Sequence, residues 1–184
     1  DIKWKIDMTI TRSLSGNNAI NSLKTIIDQM FSNKTFEIDQ SFARSVLLDF
    51  PGTANNIGYI KLPKFYSSFE NEDGNSCAID VAKEIEKLKG ENVNGIILDL
   101  RNNTGGSLSD VVDMTGLFIE EGPICQVKGR DEKPNVLRDR DRTVQYDGPL
   151  AVMVDETSAS ASEIFAAAIQ DYKRGIIIGS TSTY

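Results

Sequence analysis

Apolar residues recur along this chain at two periods, and the switching between them marks out its elements. Ile57-Gly58-Tyr59-Ile60-Lys61-Leu62, Ile96 to Leu100, Leu150 to Val154 and Ile176 to Ile178 are short apolar runs that read as strands. Ile79, Ala82, Ile85 and Leu88 instead fall at helical spacing, in a helix expected to end at Gly90, where a glycine suits a C-terminal cap. Leu108, Val111, Val112 and Thr115 stripe a second helix running towards Phe118, and Glu163 to Tyr172 forms a third. Strands alternating with helices predict an α/β layer with a largely parallel sheet. Ile124 to Val127 reads as a further strand, leading into the mixed charges of Arg130 to Arg142, a solvated loop or hairpin tip. Ser67 to Ser76 reads as a polar loop.

Residues 1–40 are expected to form a separate small appendage before a core at 41–184. Trp4 to Arg12 alternates apolar with polar as a half-buried strand does. Asn18 or Asn21 could cap a short helix carrying Leu23, Ile26, Ile27 and Met30.

Composition narrows the function classes. With 184 residues, 40% hydrophobic and 26% charged, the chain is long enough to bury a core and has an ordinary globular make-up. A net charge of −7 argues against nucleic acid or an anionic membrane as partner. No apolar stretch approaches the length of a membrane span, and Asp1-Ile2-Lys3-Trp4-Lys5 is not a signal sequence, so a mature or trimmed chain is expected. Cys77 and Cys125 read as unpaired thiols without zinc-like spacing, with a single disulfide left open as the alternative, and neither a metal nor an organic cofactor is expected.

The chemistry concentrates at two turns. Leu150 to Val154 ends in Asp155 and Glu156, and Ser158, Ser160 and Ser162 then open an alanine-rich helix. A hydroxyl there lies beside backbone N–H groups and a positive helix end, a favourable place to attack a carbonyl. The chain has no histidine, so a serine nucleophile would have to pass its proton to another base, and a desolvated lysine is the candidate. Spacing does not choose among the three serines, and serine before a helix commonly serves only as a cap. Glu163 stands where the acid of a capping box would. Asp171 sits near the helix C-terminus, against the dipole preference, which suggests a tertiary partner. Gly105 and Gly106 follow the buried strand Ile96 to Leu100. They suit either a tight strand-to-helix turn or an oxyanion hole in which one of their amides acts with the Ala161 amide. Arg101 and Asn102 are expected to brace that loop.

Two blocks carry a family resemblance: Gly95-Ile96-Ile97-Leu98-Asp99-Leu100-Arg101-Asn102-Asn103-Thr104-Gly105-Gly106, and Ser158 to Arg174 followed by Ile176-Ile177-Ile178-Gly179. Over roughly Asn56 to Tyr184 the chain resembles the C-terminal processing, or tail-specific, serine peptidases, which use a Ser-Lys dyad. The resemblance implies a layered core of the ClpP/crotonase-like type, with Ser160, the middle serine, as nucleophile. Glu163, Asp171 and Thr183 are implied as supporting residues. It places the lysine just beyond Tyr184, so that residues 1–184 alone would be inactive, and makes Lys173 a poor substitute. Implied too are protein substrates with accessible C-terminal tails and export to the periplasm or cell envelope. The family's usual PDZ domain has no recognisable carboxylate-binding loop here, so residues 1–40 are either a remnant of one or an unrelated appendage. Two competing readings share the scaffold: a non-catalytic module binding peptides or a hydrophobic ligand, and an acyl-CoA enzyme of the crotonase type.

Overall fold

The computed structural model describes residues 42–49, 56–69, 74–130, 133–179 and 182–184. All lie in the unit Gln40–Tyr184, one of two compact units into which the chain divides, the other being Asp1–Asp39. The strand expected at Trp4 to Arg12 and the helix expected around Leu23 to Met30 lie outside the described residues.

The central sheet is built from β1 (Arg44–Asp49), β2 (Asn56–Lys61), β3 (Gly95–Asp99), β6 (Leu150–Met153) and β7 (Ile176–Ile178), in the order β1-β2-β3-β6-β7. β2, β3, β6 and β7 are parallel, and β1 pairs antiparallel with β2 at one edge. β4 (Gly122–Val127) and β5 (Asn135–Asp139) form a separate antiparallel pair. Helices α1 (Cys77–Gly90), α2 (Leu108–Gly116) and α3 (Ala161–Asp171) occupy the β2–β3, β3–β6 and β6–β7 connections. Each of these connections steps to the neighbouring strand in the same direction. Right-handed crossovers must then put all three helices on one face of the sheet.

That face holds the main core. Ile60, Leu62, Leu98, Leu100, Val152 and Val154 meet Val81, Ile85 and Leu88 of α1, Val111 and Met114 of α2, and Phe165 and Ile169 of α3. Phe165 sits edge-on to Phe118 with ring centroids 5.8 Å apart. The alternate positions Tyr59, Ile97, Asp99, Ala151 and Met153 are buried as well, which is why these parallel strands read as nearly continuous apolar runs.

Several details depart from the sequence reading. β1 carries no clear apolar signature, because an edge strand whose Leu47 stays exposed needs none. Of the loop or hairpin tip expected at Arg130 to Arg142, Asn135–Asp139 is strand β5, which pairs antiparallel with β4 as the second arm of a hairpin, and its polar composition suits a surface ribbon. On α1 the buried stripe is Cys77, Ala78, Val81, Ile85 and Leu88, while Ile79 points outward. On α2 Val111, Met114 and Thr115 face inward and Leu108 is exposed. Gly90 is the last residue of α1 and not its left-handed terminator; Asn92, at φ 54°, takes that conformation. Cys77 and Cys125 are both free thiols, and burial pushes the Cys77 thiol up to about 12.

At the carboxyl end of β3 a polar network replaces apolar packing. Asp99, 1% exposed, accepts hydrogen bonds from the Tyr59 hydroxyl (2.6 Å), from Arg101 Nε (2.9 Å) and Nη2 (2.6 Å), and from the Arg101 backbone N–H (2.9 Å). Lys61 Nζ lies 3.5 Å from the same carboxylate and donates to the Arg101 carbonyl. Burial opposes ionisation of Asp99, but the Arg101 hydrogen bonds and the charges of Lys61 and Arg101 outweigh it and hold the carboxyl below its usual range. Burial likewise lowers the Lys61 pKa, with the Asp99 charge opposing.

Asp99→Ala should therefore destabilise the fold by about 3–5 kcal/mol in urea unfolding at neutral pH, because it removes the buried carboxylate that faces Lys61 and Arg101. The carboxyl's folded pKa is depressed, so its contribution is complete above the ordinary aspartate value of about 3.9 and is lost as pH falls through the lower folded value. The stability gap between wild type and variant should close over that acid range. A gap unchanged with pH would show that Asp99 ionisation does not stabilise the fold.

Candidate active site

Among the described residues three serines begin helices, and one differs from the others. Ser76 (φ −88°, ψ 165°) and Ser107 (φ −64°, ψ 126°) have the extended backbone usual for a cap, and each accepts a hydrogen bond from the amide three residues on. Ser160, before α3, has φ 55° and ψ −112°. A non-glycine residue held there costs on the order of 1–3 kcal/mol, and such strain persists only where surrounding contacts enforce it.

The turn from β6 into α3 supplies those contacts. The Asp155 carboxylate accepts from Thr157 N–H (3.0 Å), Thr157 Oγ1 (2.7 Å), Ser158 N–H (3.0 Å) and the Asn102 N–H (3.1 and 3.0 Å to its two oxygens). These hydrogen bonds, led by that from the Thr157 side chain, overcome partial burial and lower the Asp155 pKa. Ser158 and Ser162 are fully buried. Ser158 Oγ donates to the Leu100 carbonyl at 2.8 Å, and Ser162 Oγ donates to the Asn103 carbonyl at 2.8 Å. Ser160, between them, is exposed. Burial thus separates three serines that sequence spacing leaves equivalent.

The glycine turn lies against the same residue. β3 and β6 are adjacent and parallel, with Asp99 opposite Met153, so the segments leaving their carboxyl ends emerge side by side. Gly105 (φ 101°) is so close that an added Cβ would stand 2.7 Å from the Ala159 carbonyl oxygen, 2.8 Å from Ser160 Cβ and 3.0 Å from the Ala161 nitrogen. Only glycine fits. Gly106 (φ 142°) is pressed against Phe65, where a Cβ would meet the carbonyl oxygen at 2.1 Å, and the two residues form a parallel bridge. Gly105 N–H donates to Asn103 Oδ1 at 2.9 Å. Among the described residues, the Gly106 and Ala161 amides donate no hydrogen bond.

Glu163 ties the turn to the last residues of the chain. One carboxylate oxygen accepts the Ser160 N–H at 2.9 Å and the other accepts Thr183 Oγ1 at 2.8 Å. Tyr184 N–H donates to the Ser158 carbonyl at 3.1 Å. Glu163, Thr183, Gly105, Gly106, Ala161 and Ser160 therefore converge. Asp171 does not join them. It ends α3, exposed, roughly 16 Å along the helix axis from Ser160 at the standard rise, and no hydrogen bond or ion pair to it occurs among the described residues. Lys173 lies beyond it. Asn102 does brace the glycine loop, through its backbone N–H on Asp155, and Arg101 does so through Asp99.

Sequence reasoning missed Asp155 and Asn103 as organisers of this site. The signal for Asp155 was present, since an aspartate two residues before a threonine and three before a serine can fold an Asx-type turn. Asn103 had the same kind of local sign in its bond to the Gly105 N–H two residues on, but its ties to Leu62, Ala159 and Ser162 come from distant segments and had none.

With this geometry in view, comparison with known proteins is specific. The profile of peptidase family S41 matches residues 56–184. The chain is 45% identical over 130 residues to a tail-specific protease of Haemophilus influenzae, covering 71% of this chain and 18% of that protein. It is 36% identical over 140 residues to the chloroplastic carboxyl-terminal-processing peptidase 2 of Arabidopsis thaliana, covering 74% and 26% of the two chains. Among solved structures it resembles the photosystem II D1 C-terminal processing protease, with TM-score 0.62 and 26% identity over 73% of this chain and 35% of that one. The chain thus spans about a fifth to a quarter of these curated relatives. The profile match covers most of the chain and takes in both the glycine turn and the serine turn, and on that ground the chain belongs to peptidase family S41.

Proposed function

We propose that the intact protein is a serine endopeptidase that recognises substrates through their C-terminal tails, with Ser160 as nucleophile. The observation that carries this reading is Ser160 itself: exposed, strained at φ 55°, and packed against Gly105. Strain of this kind presents a side chain outward at a strand-to-helix turn, as nucleophile elbows do. Ser160 Oγ attacks the peptide carbonyl carbon while its proton passes to an unprotonated lysine. The Gly106 and Ala161 N–H groups stabilise the oxyanion, the carbon–nitrogen bond breaks as the amine leaves protonated, and water hydrolyses the acyl-enzyme. The lysine is expected in the segment after Tyr184, whose backbone lies hydrogen-bonded to the Ser158 carbonyl beside the nucleophile turn. Glu163 and Thr183 would hold that segment in place. Asp171 keeps its proposed supporting role only through an interaction outside the described residues. Proteins with accessible C-terminal tails are the proposed substrates, and the names of the relatives, a tail-specific protease and a carboxyl-terminal-processing peptidase, support that choice. Export to the periplasm or envelope rests on the family resemblance alone.

In the intact protein, Ser160→Ala should abolish cleavage of an unfolded protein substrate with its fold preserved. Ser160→Gly should be equally inactive yet more stable than Ser160→Ala by about 1 kcal/mol in chemical denaturation, because glycine tolerates the positive φ. Ser158→Ala and Ser162→Ala should retain substantial turnover while each losing about 1 kcal/mol from a buried hydrogen bond. An active Ser160→Ala enzyme would refute the assignment of the nucleophile, whereas an intact wild-type protein without turnover would leave a ligand-binding module as the better description.

The base is tested separately. Lys61 is the competing lysine, with a pKa lowered by burial, but its Nζ is committed to the Arg101 carbonyl and Asp99. Lys61→Met in the intact protein should keep measurable turnover, with the limb of the pH–rate profile on which rate rises as the base deprotonates still in place. Residues 1–184 alone should show no turnover and weak fluorophosphonate labelling. Strong labelling of the shorter chain that Lys61→Met removes would move the base to Lys61.

A further inference from the structure

Asn103 is fully buried and makes five hydrogen bonds that join three segments of the site. Its side chain donates from Nδ2 to the Leu62 carbonyl (3.0 Å), beyond the end of β2, and accepts the Gly105 N–H at Oδ1 (2.9 Å). Its backbone carbonyl accepts both the Ala159 N–H (3.1 Å) and Ser162 Oγ (2.8 Å), the residues on either side of the Ser160–Ala161 pair. Its own N–H donates to the Leu100 carbonyl (3.1 Å). At neutral pH an amide side chain of this length can donate and accept at once in this position, whereas an ionised carboxylate only accepts. An aspartate would set an oxygen against the Leu62 carbonyl, and an alanine would leave two buried backbone groups unpaired.

The glycine turn offers two successive amides to a bound carbonyl oxygen, and Asn103 decides which is free. Its Oδ1 consumes the Gly105 N–H, so of the two glycine amides the Gly106 N–H is the one with no partner among the described residues. The same residue's carbonyl holds Ala159 and Ser162, which sets where Ser160 and the Ala161 N–H lie relative to Gly106. We propose that Asn103 is the positioning residue of this active site, fixing the spacing between the Gly106 and Ala161 donors by bridging the glycine turn and the serine turn. Asn103 touches no substrate and acts through backbone amides. The inference rests on the Ser160 reading above and adds to it the element that aligns the oxyanion donors.

Misplacing a catalytic group by about 1 Å can cost on the order of a hundredfold in rate. In the intact protein, Asn103→Ala should lower kcat by about tenfold to a hundredfold, with KM within about twofold of wild type. Rates are counted per folded molecule, with the folded fraction measured by thermal unfolding. A purely structural residue would reduce the folded fraction and leave turnover per folded molecule unchanged, and that result would overturn the proposal.

If Asn103→Ala does not fold, Asn103→Asp decides. At neutral pH its kcat should be reduced. Relative to wild type at each pH it should recover as pH falls, because a protonated buried carboxyl can again donate to Leu62 while accepting from Gly105. Wild-type kcat at neutral pH would overturn the proposal. Ser160→Ala measured alongside separates the two claims. Activity surviving in Ser160→Ala removes the reading on which Asn103 depends. Inactive Ser160→Ala beside a fully active Asn103→Ala removes only the positioning role.

Discussion

The pairing of β3 with β6 as parallel neighbours is the constraint on which the site depends. Parallel strands point their carboxyl ends the same way, so the turn at Arg101–Gly106 and the turn at Asp155–Ser160 leave the sheet at adjacent points although more than 50 residues separate them in sequence. Consecutive same-direction crossovers put the helices on one face, so both turns also open helices that pack together through Phe118 and Phe165. Had either strand been antiparallel, the glycines and the serines would have stood at opposite ends of the sheet.

Adjacency alone would leave two exposed loops, and a layered set of polar anchors makes them one rigid unit. Asp99 fixes the start of the glycine loop through Arg101 and Lys61. Asp155 clamps the Asn102 N–H to the Thr157–Ser158 turn, and Ser158 returns a hydrogen bond to Leu100. Asn103 closes the assembly. Nearly every buried polar group in this region has a partner, as a low-dielectric interior demands. The Gly106 and Ala161 amides donate no hydrogen bond among the described residues, and they belong to the two turns that meet at Gly105 and Ser160. Strain at Ser160 and unpaired amides next to it are the two local costs of the region, and the surrounding hydrogen bonds hold both in place.

The alternation of elements from Ile57 to Ile178 was legible in the chain, because apolar runs and helical stripes are local signals. So was the chemistry of the two turns, since glycine, serine and the absence of histidine restrict what can happen there. Lower-amplitude features were not legible. β1 and β5 lie at an edge and on a surface ribbon, where burial imposes no strong pattern. Ile79 reads as a core residue by spacing but faces solvent, because the face a helix buries is set by what it packs against.

The sequence by itself determined that this is an α/β chain with a glycine turn and a serine turn after two apolar strands, and its motifs identified the family. Only the tertiary structure decided which of three equivalent serines is exposed, which of two adjacent glycine amides stays unpaired, and that Glu163 and Thr183 meet beside Ser160 while Asp171 joins no partner among the described residues. The reason is physical. Residue type and spacing express preferences that act over a few residues. Burial, hydrogen-bond partners such as those of Asn103, and the backbone angle of Ser160 are set by segments that come together only when β3 and β6 pair.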